Sequence, residues 1–134
     1  MTGEGVVVLD ASALVAYARN EPGALVVAAR LRSSSRVIVS AVNWAEVAGK
    51  LREYHMTPAI VRQALAAVDA EIVPFTEADA AAVGELAPRT RSLGLSLGDR
   101  ACIGLALRMG APALTAERAW NRLDVAGLVV EEIR

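Results

Sequence analysis

Val6-Val7-Val8-Leu9-Asp10-Ala11-Ser12 is the stretch on which the fold turns. Four consecutive apolar residues, three of them β-branched, run straight into an acid, a small residue and a hydroxyl. A run this short and unbroken predicts a strand covered on both faces, as strands of parallel sheets are. In open α/β sheets ligands bind beyond the carboxyl ends of the strands, and Asp10 stands at such an end. Asp is equally a common N-cap. Taken alone, the stretch supports both a ligand-binding acid and a plain cap for a helix starting at Ala11.

The 134 residues, 54% hydrophobic and 22% charged, predict one domain over 1–134, with a core that needs no disulfide or metal staple. No apolar run approaches the ~20 residues of a membrane span. The start of the chain carries Glu4 and no basic stretch, so a secretory leader is not expected and a cytoplasmic location is. A single cysteine, Cys102, and a single histidine, His55, argue against thiolate or imidazole metal sites. The net charge of -1 announces no overall basic field. Lys50 is the one lysine among 14 basic residues. The arginine excess suits bidentate phosphate contacts and equally a GC-rich genome.

Working outward, Ala11–Arg19 reads as a short helix, broken at Asn20-Glu21-Pro22-Gly23. A helix over Ala24–Arg32 follows, with Leu25, Val26, Ala29 and Ala28 assigned inward. Arg36–Ser40 is a second strand, and Ser40 caps a helix to about Tyr54. On that helix Val42, Ala45, Gly49 and Leu51 suggest the packed face, widened by Trp44 and Val47, and Glu46 falls on it. Ionised acids are seldom buried unpaired, so Glu46 either pairs with Lys50 at i, i+4 or serves chemistry. Pro58–Val68 is a helix behind a Thr57 cap, with His55 an exposed helix-end residue. Glu71–Phe75 is a strand, at an edge or ending there because of Pro74. Thr76 and Asp79 form a capping pattern for the helix that ends near Pro88.

Pro88-Arg89-Thr90-Arg91-Ser92 reads as a basic loop, a contact surface for a polyanion or simply a solvated connection. Ala101–Leu107 is apolar all round, the pattern of a helix buried on nearly every side. Asp99 lies in its first turn, where Ser96 as cap and the helix dipole give it an ordinary explanation. Gly110 ends the helix. Ala111–Leu114 and Leu128–Val130 are further strands around a short helix or turn, Arg118–Leu123. Alternating strands and helices define the α/β class, a mostly parallel sheet of four or five strands with helices on both faces.

Four acids share one description: Asp10, Glu46, Asp99 and Glu117 each lie at a strand's carboxyl end or in the helix leaving it. Ser12 and Thr115 stand beside two of them. Carboxylates crowded at one sheet edge raise each other's pKa unless a cation holds them. Oxygen donors without His or Cys suit Mg2+ or Mn2+, and phosphodiester hydrolysis is the chemistry such a site performs.

Val8-Leu9-Asp10-Ala11-Ser12-Ala13-Leu14, Ser40-Ala41-Val42-Asn43-Trp44-Ala45-Glu46-Val47, Leu95-Ser96-Leu97-Gly98-Asp99-Arg100-Ala101-Cys102 and Leu114-Thr115-Ala116-Glu117-Arg118-Ala119-Trp120 occur in that order. Through them the chain resembles, nearly end to end, the PIN-domain ribonucleases of the VapC toxin type. The resemblance implies a three-layer α/β/α sandwich and a Mg2+- or Mn2+-dependent ribonuclease. Its acidic triad is Asp10, Glu46 and Asp99, with position 117 as the fourth acid, and Ser12, Asn43 and Thr115 support the site. It also implies an RNA substrate, a cognate VapB-type antitoxin that blocks the acidic pocket, and a homodimer. Family members usually carry Asp at the fourth position. Glu117 moves that carboxylate by roughly one C–C bond, about 1.5 Å. Retained activity with one firm and one weaker metal site is expected, with Asp124 nearby as a surface residue. The alternative is a catalytically weakened PIN domain that only binds RNA or antitoxin. Arg89, Arg91, Arg100, Arg118 and Arg122 are candidates for RNA backbone contacts.

Other enzyme classes fit less well. Gly94-Leu95-Ser96-Leu97-Gly98 matches a nucleophile elbow, but no histidine follows it in the chain. A haloacid-dehalogenase phosphatase needs a second Asp where Ser12 stands. A receiver domain needs an Asp at the end of the third strand, where Val73-Pro74-Phe75 stands.

Overall fold

The computed structural model describes residues 5–134. The reading of the chain's start, including Glu4, lies outside those residues. Five strands, β1 (Val6–Leu9), β2 (Arg36–Ser40), β3 (Glu71–Val73), β4 (Ala113–Thr115) and β5 (Val130–Glu132), form one sheet in the order β3-β2-β1-β4-β5. Every pairing is parallel, with Val8 opposite Ile38 on one side and Ala113 on the other. The opening Val-Val-Val-Leu run is thus the central strand.

Its unbroken apolarity follows from that position. Val7 and Leu9 point into a core shared with α1 (Ala11–Ala18), α2 (Ala24–Ser33), α3 (Ala41–Glu53) and α4 (Ala59–Ala67). Val8 points the other way, into a core with α5 (Glu77–Thr90) and α6 (Leu97–Met109), where Cys102, Ile103 and Trp120 are buried. Side-chain alternation along the strand makes both assignments at once. Val7, Val8 and Leu9 are fully buried, each contributing roughly 1.5–3 kcal/mol relative to exposure. The three-layer α/β/α sandwich expected from the alternation is the fold observed.

Three local expectations are corrected. On α2 the buried residues are Ala24, Val27 and Leu31, while Leu25 is 83% exposed and Val26 is exposed as well. With Ala-Leu-Val-Val-Ala-Ala apolar throughout, periodicity had no phase to report, and packing chose one a single residue away. On α3 the buried face is Asn43, Val47 and Leu51, whereas Ala45, Glu46 and Gly49 are exposed. Residues 88–92 are not a loop. Pro88 lies inside α5, which runs on to Thr90 and passes into a 3-10 turn over Arg91–Leu93. Buried Val83, Leu86 and Thr90 hold this last stretch in place, and the Thr90 hydroxyl donates to the Leu86 carbonyl (3.0 Å). Tertiary packing here overrides the helix-breaking tendency of proline.

Chain order places the site. From β1 the sheet grows outward through β2 to β3, and the chain then returns to lay β4 against the other side of β1. The sheet order reverses between β1 and β4, and at such a switch point the carboxyl ends of neighbouring strands open a crevice. Asp10 and Ala11 follow β1; Thr115 ends β4 and Glu117 follows it.

Candidate active site

Asp10 is only 2% exposed. It occupies the N-cap position of α1, yet its side chain makes no capping hydrogen bond. Its carboxylate is held instead by two hydroxyls. Ser12 Oγ donates to Oδ2 at 2.7 Å, and Thr115 Oγ1 donates to the same oxygen at 3.0 Å. Backbone N–H groups fix those hydroxyls in turn: Ala116 donates to Ser12 Oγ and Glu117 to Thr115 Oγ1, each at 3.0 Å. The ends of β1 and β4 are thereby tied through one carboxylate oxygen. The other, Oδ1, has no hydrogen-bond donor among the described residues. The Asp10 side chain is thus held at the strand end and takes no part in capping α1.

Asp99 does both jobs that its position allows. Its N–H donates to Ser96 Oγ (3.1 Å) and its Oδ2 accepts from the Ser96 N–H (2.9 Å), a capping box that starts α6. Glu46 is fixed from below. Asn43, fully buried, donates through Nδ2 to Glu46 Oε1 and to the Gly98 carbonyl, both at 2.9 Å. Both partners are acceptors, which sets the amide's orientation; Asn43 Oδ1 is buried without a partner. The Glu46 carboxylate lies directly over Gly98, where any Cβ would overlap it. Lys50 is ion-paired with Glu53 (3.9 Å) rather than with Glu46.

Asp10, Glu46, Asp99 and Glu117 all line one cavity of about 270 Å³, together with Ser12. Asp10's pKa is pushed up to about 7, chiefly by burial and further by the charges of Asp99 and Glu46, against the lowering effect of its hydroxyl donors. Burial also raises Glu46, with Asp99 adding to the shift; the Asn43 hydrogen bond and Lys50 oppose it. The cavity concentrates negative charge that the fold does not neutralise.

Such a donor set suits a hard divalent cation in charge and element. No three acidic, His or Cys side chains among the described residues stand close enough to share one ion directly.

Burial of an acid has a thermodynamic signature. Folded Asp10 titrates near 7 and the unfolded residue near the ordinary 3.8. Between these values the native state holds more protons, so without a cation stability falls as pH rises through that window. Full ionisation costs up to about 4 kcal/mol. Asp10→Asn keeps an oxygen to accept from Ser12 and Thr115 and removes the charge. In chelator, its unfolding midpoint in urea should exceed that of the parent at about pH 8, with the gap shrinking toward about pH 5. A gap independent of pH would contradict the assignment.

The other expected residues are dispersed. Arg89 lines a separate cavity with residues of α5 and α6. Arg91 is exposed on the 3-10 turn, Arg122 is exposed beyond β4, and Arg100 donates to the Val83 carbonyl (3.2 Å). Arg118 donates to the Arg134 carbonyl (3.0 Å), and Asp124 is exposed outside the acidic cavity. Sequence reasoning missed Gly98, Glu21, Lys50, Tyr54 and Arg134 as lining or shaping residues. Gly98 had a signal, since a glycine in the first turn of a buried helix is unfavourable by about 1 kcal/mol and asks for a reason. Glu21 and Arg134 had none, because only the fold brings them together.

A parallel sheet with a carboxylate-lined crevice at its switch point defines a class of α/β proteins with acidic sites. Residues 7–126 match the PIN domain, and the chain belongs to the PIN-domain family. PIN domains are generally nucleases, and these nucleases generally depend on divalent metals. The fold is also similar to solved structures. One is VapBC2 from Rickettsia felis bound to a promoter DNA fragment (TM-score 0.68, 16% identity, 95% of this chain and 98% of that chain). A toxin–antitoxin complex from Klebsiella pneumoniae gives TM-score 0.65 at 17% identity over 92% and 95% of the two chains. VapBC-5 from Mycobacterium tuberculosis gives 0.58 at 20% identity over 95% and 98%. No curated protein matches in sequence. No helix of the described residues is long and apolar enough to cross a membrane.

Proposed function

We propose that this chain is a Mg2+- or Mn2+-dependent endoribonuclease, the toxin of a toxin–antitoxin pair, restrained by a VapB-type antitoxin. The observation that carries the reading is Asp10, a buried carboxylate with one oxygen held by Ser12 and Thr115 and the other without a donor, in a cavity shared with three further acids. Membership of the PIN family and the likeness to toxin–antitoxin structures support it. Antitoxin binding, homodimerisation and action in the cytoplasm belong to the same reading.

Asp10, Asp99 and Glu46 are the residues that would hold the cation, in part through its waters. Bound there, it supplies an activated water and stabilises charge on the leaving oxygen. Ser12 and Thr115 fix the rotamer of Asp10, and Asn43 turns the Glu46 carboxylate toward the start of α6. Asp99 has one oxygen committed to its helix, which leaves the second for the site. Glu117, exposed and lining the same cavity, adds a fourth acid. Its longer arm reaches the site directly or through water, which favours retained activity over the binding-only alternative.

Purified protein incubated with structured RNA should cut it when Mg2+ or Mn2+ is present and leave it intact in chelator. RNA left intact in both metals would remove the nuclease reading and favour the binding-only one.

A further inference from the structure

A polyanion cannot approach this many carboxylates unless cations stand beside them. Arg89, Arg91, Arg100, Arg118 and Arg122 do not line the acidic cavity, so its cations must be sought elsewhere. They are Lys50, on α3, and Arg134. Arg134 is oriented by hydrogen bonds to Glu21 Oε1 (3.3 Å) and the Pro22 carbonyl (3.1 Å). Glu21 also holds Arg19. Two guanidinium groups thus share one carboxylate. Lys50 makes a loose pair with Glu53, both side chains largely solvent-exposed, and its charge also acts on Glu46.

Beside these cations stands an aromatic ring. Tyr54 follows the last turn of α3, lines the cavity and is 43% exposed. The Arg19 guanidinium lies 3.6 Å from the centroid of its ring, a cation–π contact that holds the ring in place. The Arg19–Glu21 pair links this ring to Arg134. A fixed, exposed aromatic surface next to cations is what single-stranded nucleic acid requires: a stacking platform and phosphate contacts.

We propose that Tyr54, Lys50 and Arg134, braced by Arg19 and Glu21, form the wall of the cavity that receives single-stranded RNA. A base stacks on Tyr54, while Lys50 and Arg134 contact flanking phosphates and lay the strand across the carboxylates. The proposal rests on the ribonuclease reading and adds to it which residues hold the substrate. It assigns binding to residues outside the four acidic motifs.

The test uses the full chain carrying Asp10→Asn, so that the probe survives. Binding of a short fluorescein-labelled single-stranded oligoribonucleotide of mixed sequence is followed by anisotropy across a salt series. Tyr54→Ala should weaken binding by roughly tenfold or more, and Tyr54→Phe should retain it. Lys50→Gln and Arg134→Gln should each flatten the slope of log K against log salt by about 0.7, the loss of one single-strand phosphate contact. Unchanged thermal unfolding shows that each variant is folded. RNA binding by the parent with Tyr54→Ala equally tight and all slopes unchanged overturns the wall and leaves the ribonuclease reading standing. A parent that binds no single-stranded RNA at any salt likewise overturns the wall, while the ribonuclease reading falls only if structured RNA stays uncut in both metals.

Discussion

Asp10→Asn is expected to lower RNA cleavage by roughly a hundredfold or more, the scale of losing one preorganised group at a reacting centre. Asparagine retains the oxygen that accepts from Ser12 and Thr115, so β1 and β4 stay tied. The charge is what disappears. Asp99→Asn should act similarly, because an amide oxygen still accepts from the Ser96 N–H and keeps the start of α6. Initial rates on structured RNA in Mg2+ measure both. Unchanged cleavage in both variants would point to a contaminating nuclease and sink the catalytic assignment.

Gly98→Ala should separate activity from stability. The three atoms nearest the new Cβ are all of the Glu46 carboxylate, the free end of a flexible side chain, rather than backbone. That end can rotate away at about 0.5–1.5 kcal/mol of rotamer strain, while alanine gains up to about 1 kcal/mol in helix propensity. The urea midpoint therefore moves little. Glu46 is nevertheless displaced from Asn43 and from the cavity, and cleavage should fall roughly 10- to 100-fold, as it does when the support of a metal ligand is removed. In a Glu46→Gln background the same substitution should cost much less, because both changes act on one carboxylate. Full activity in Gly98→Ala would show that Glu46 is not needed where it stands.

The sequence carried the fold where local pattern and tertiary environment agree. Val6–Leu9 reads as a doubly covered strand because it is the middle of the sheet, and Ala101–Leu107 reads as a buried helix for the same reason. It failed on α2, where every residue from Ala24 to Ala29 is apolar and only packing selects Val27 over Val26. Pro88 misled because a proline near a helix end is ordinarily a stop, and here the contacts of Val83, Leu86 and Thr90 continue the helix beyond it. At the site Asp10, Glu46 and Glu117 were legible because each follows a strand, and parallel strands bring those ends to one edge; Asp99, expected likewise to follow a strand, instead enters at the start of α6, which follows α5 and the 3-10 turn Arg91–Leu93. Asn43, Ser12 and Thr115 were placed beside the acids, and the structure joins them by hydrogen bonds. Glu46 was assigned to the packed face and instead lies on the open rim, reached from below by the buried Asn43. The Arg19–Glu21–Arg134 cluster was not legible, since its members are joined only by the closure of the sheet at β5.

The central claim is that the uncompensated charge around Asp10 belongs to a divalent cation. Calorimetric titration of Mn2+ into the purified protein at low salt and about pH 8, where Asp10 is ionised, tests it most directly. Saturable binding by the parent, lost in Asp10→Asn, is the expected result. No binding by the parent would contradict the account.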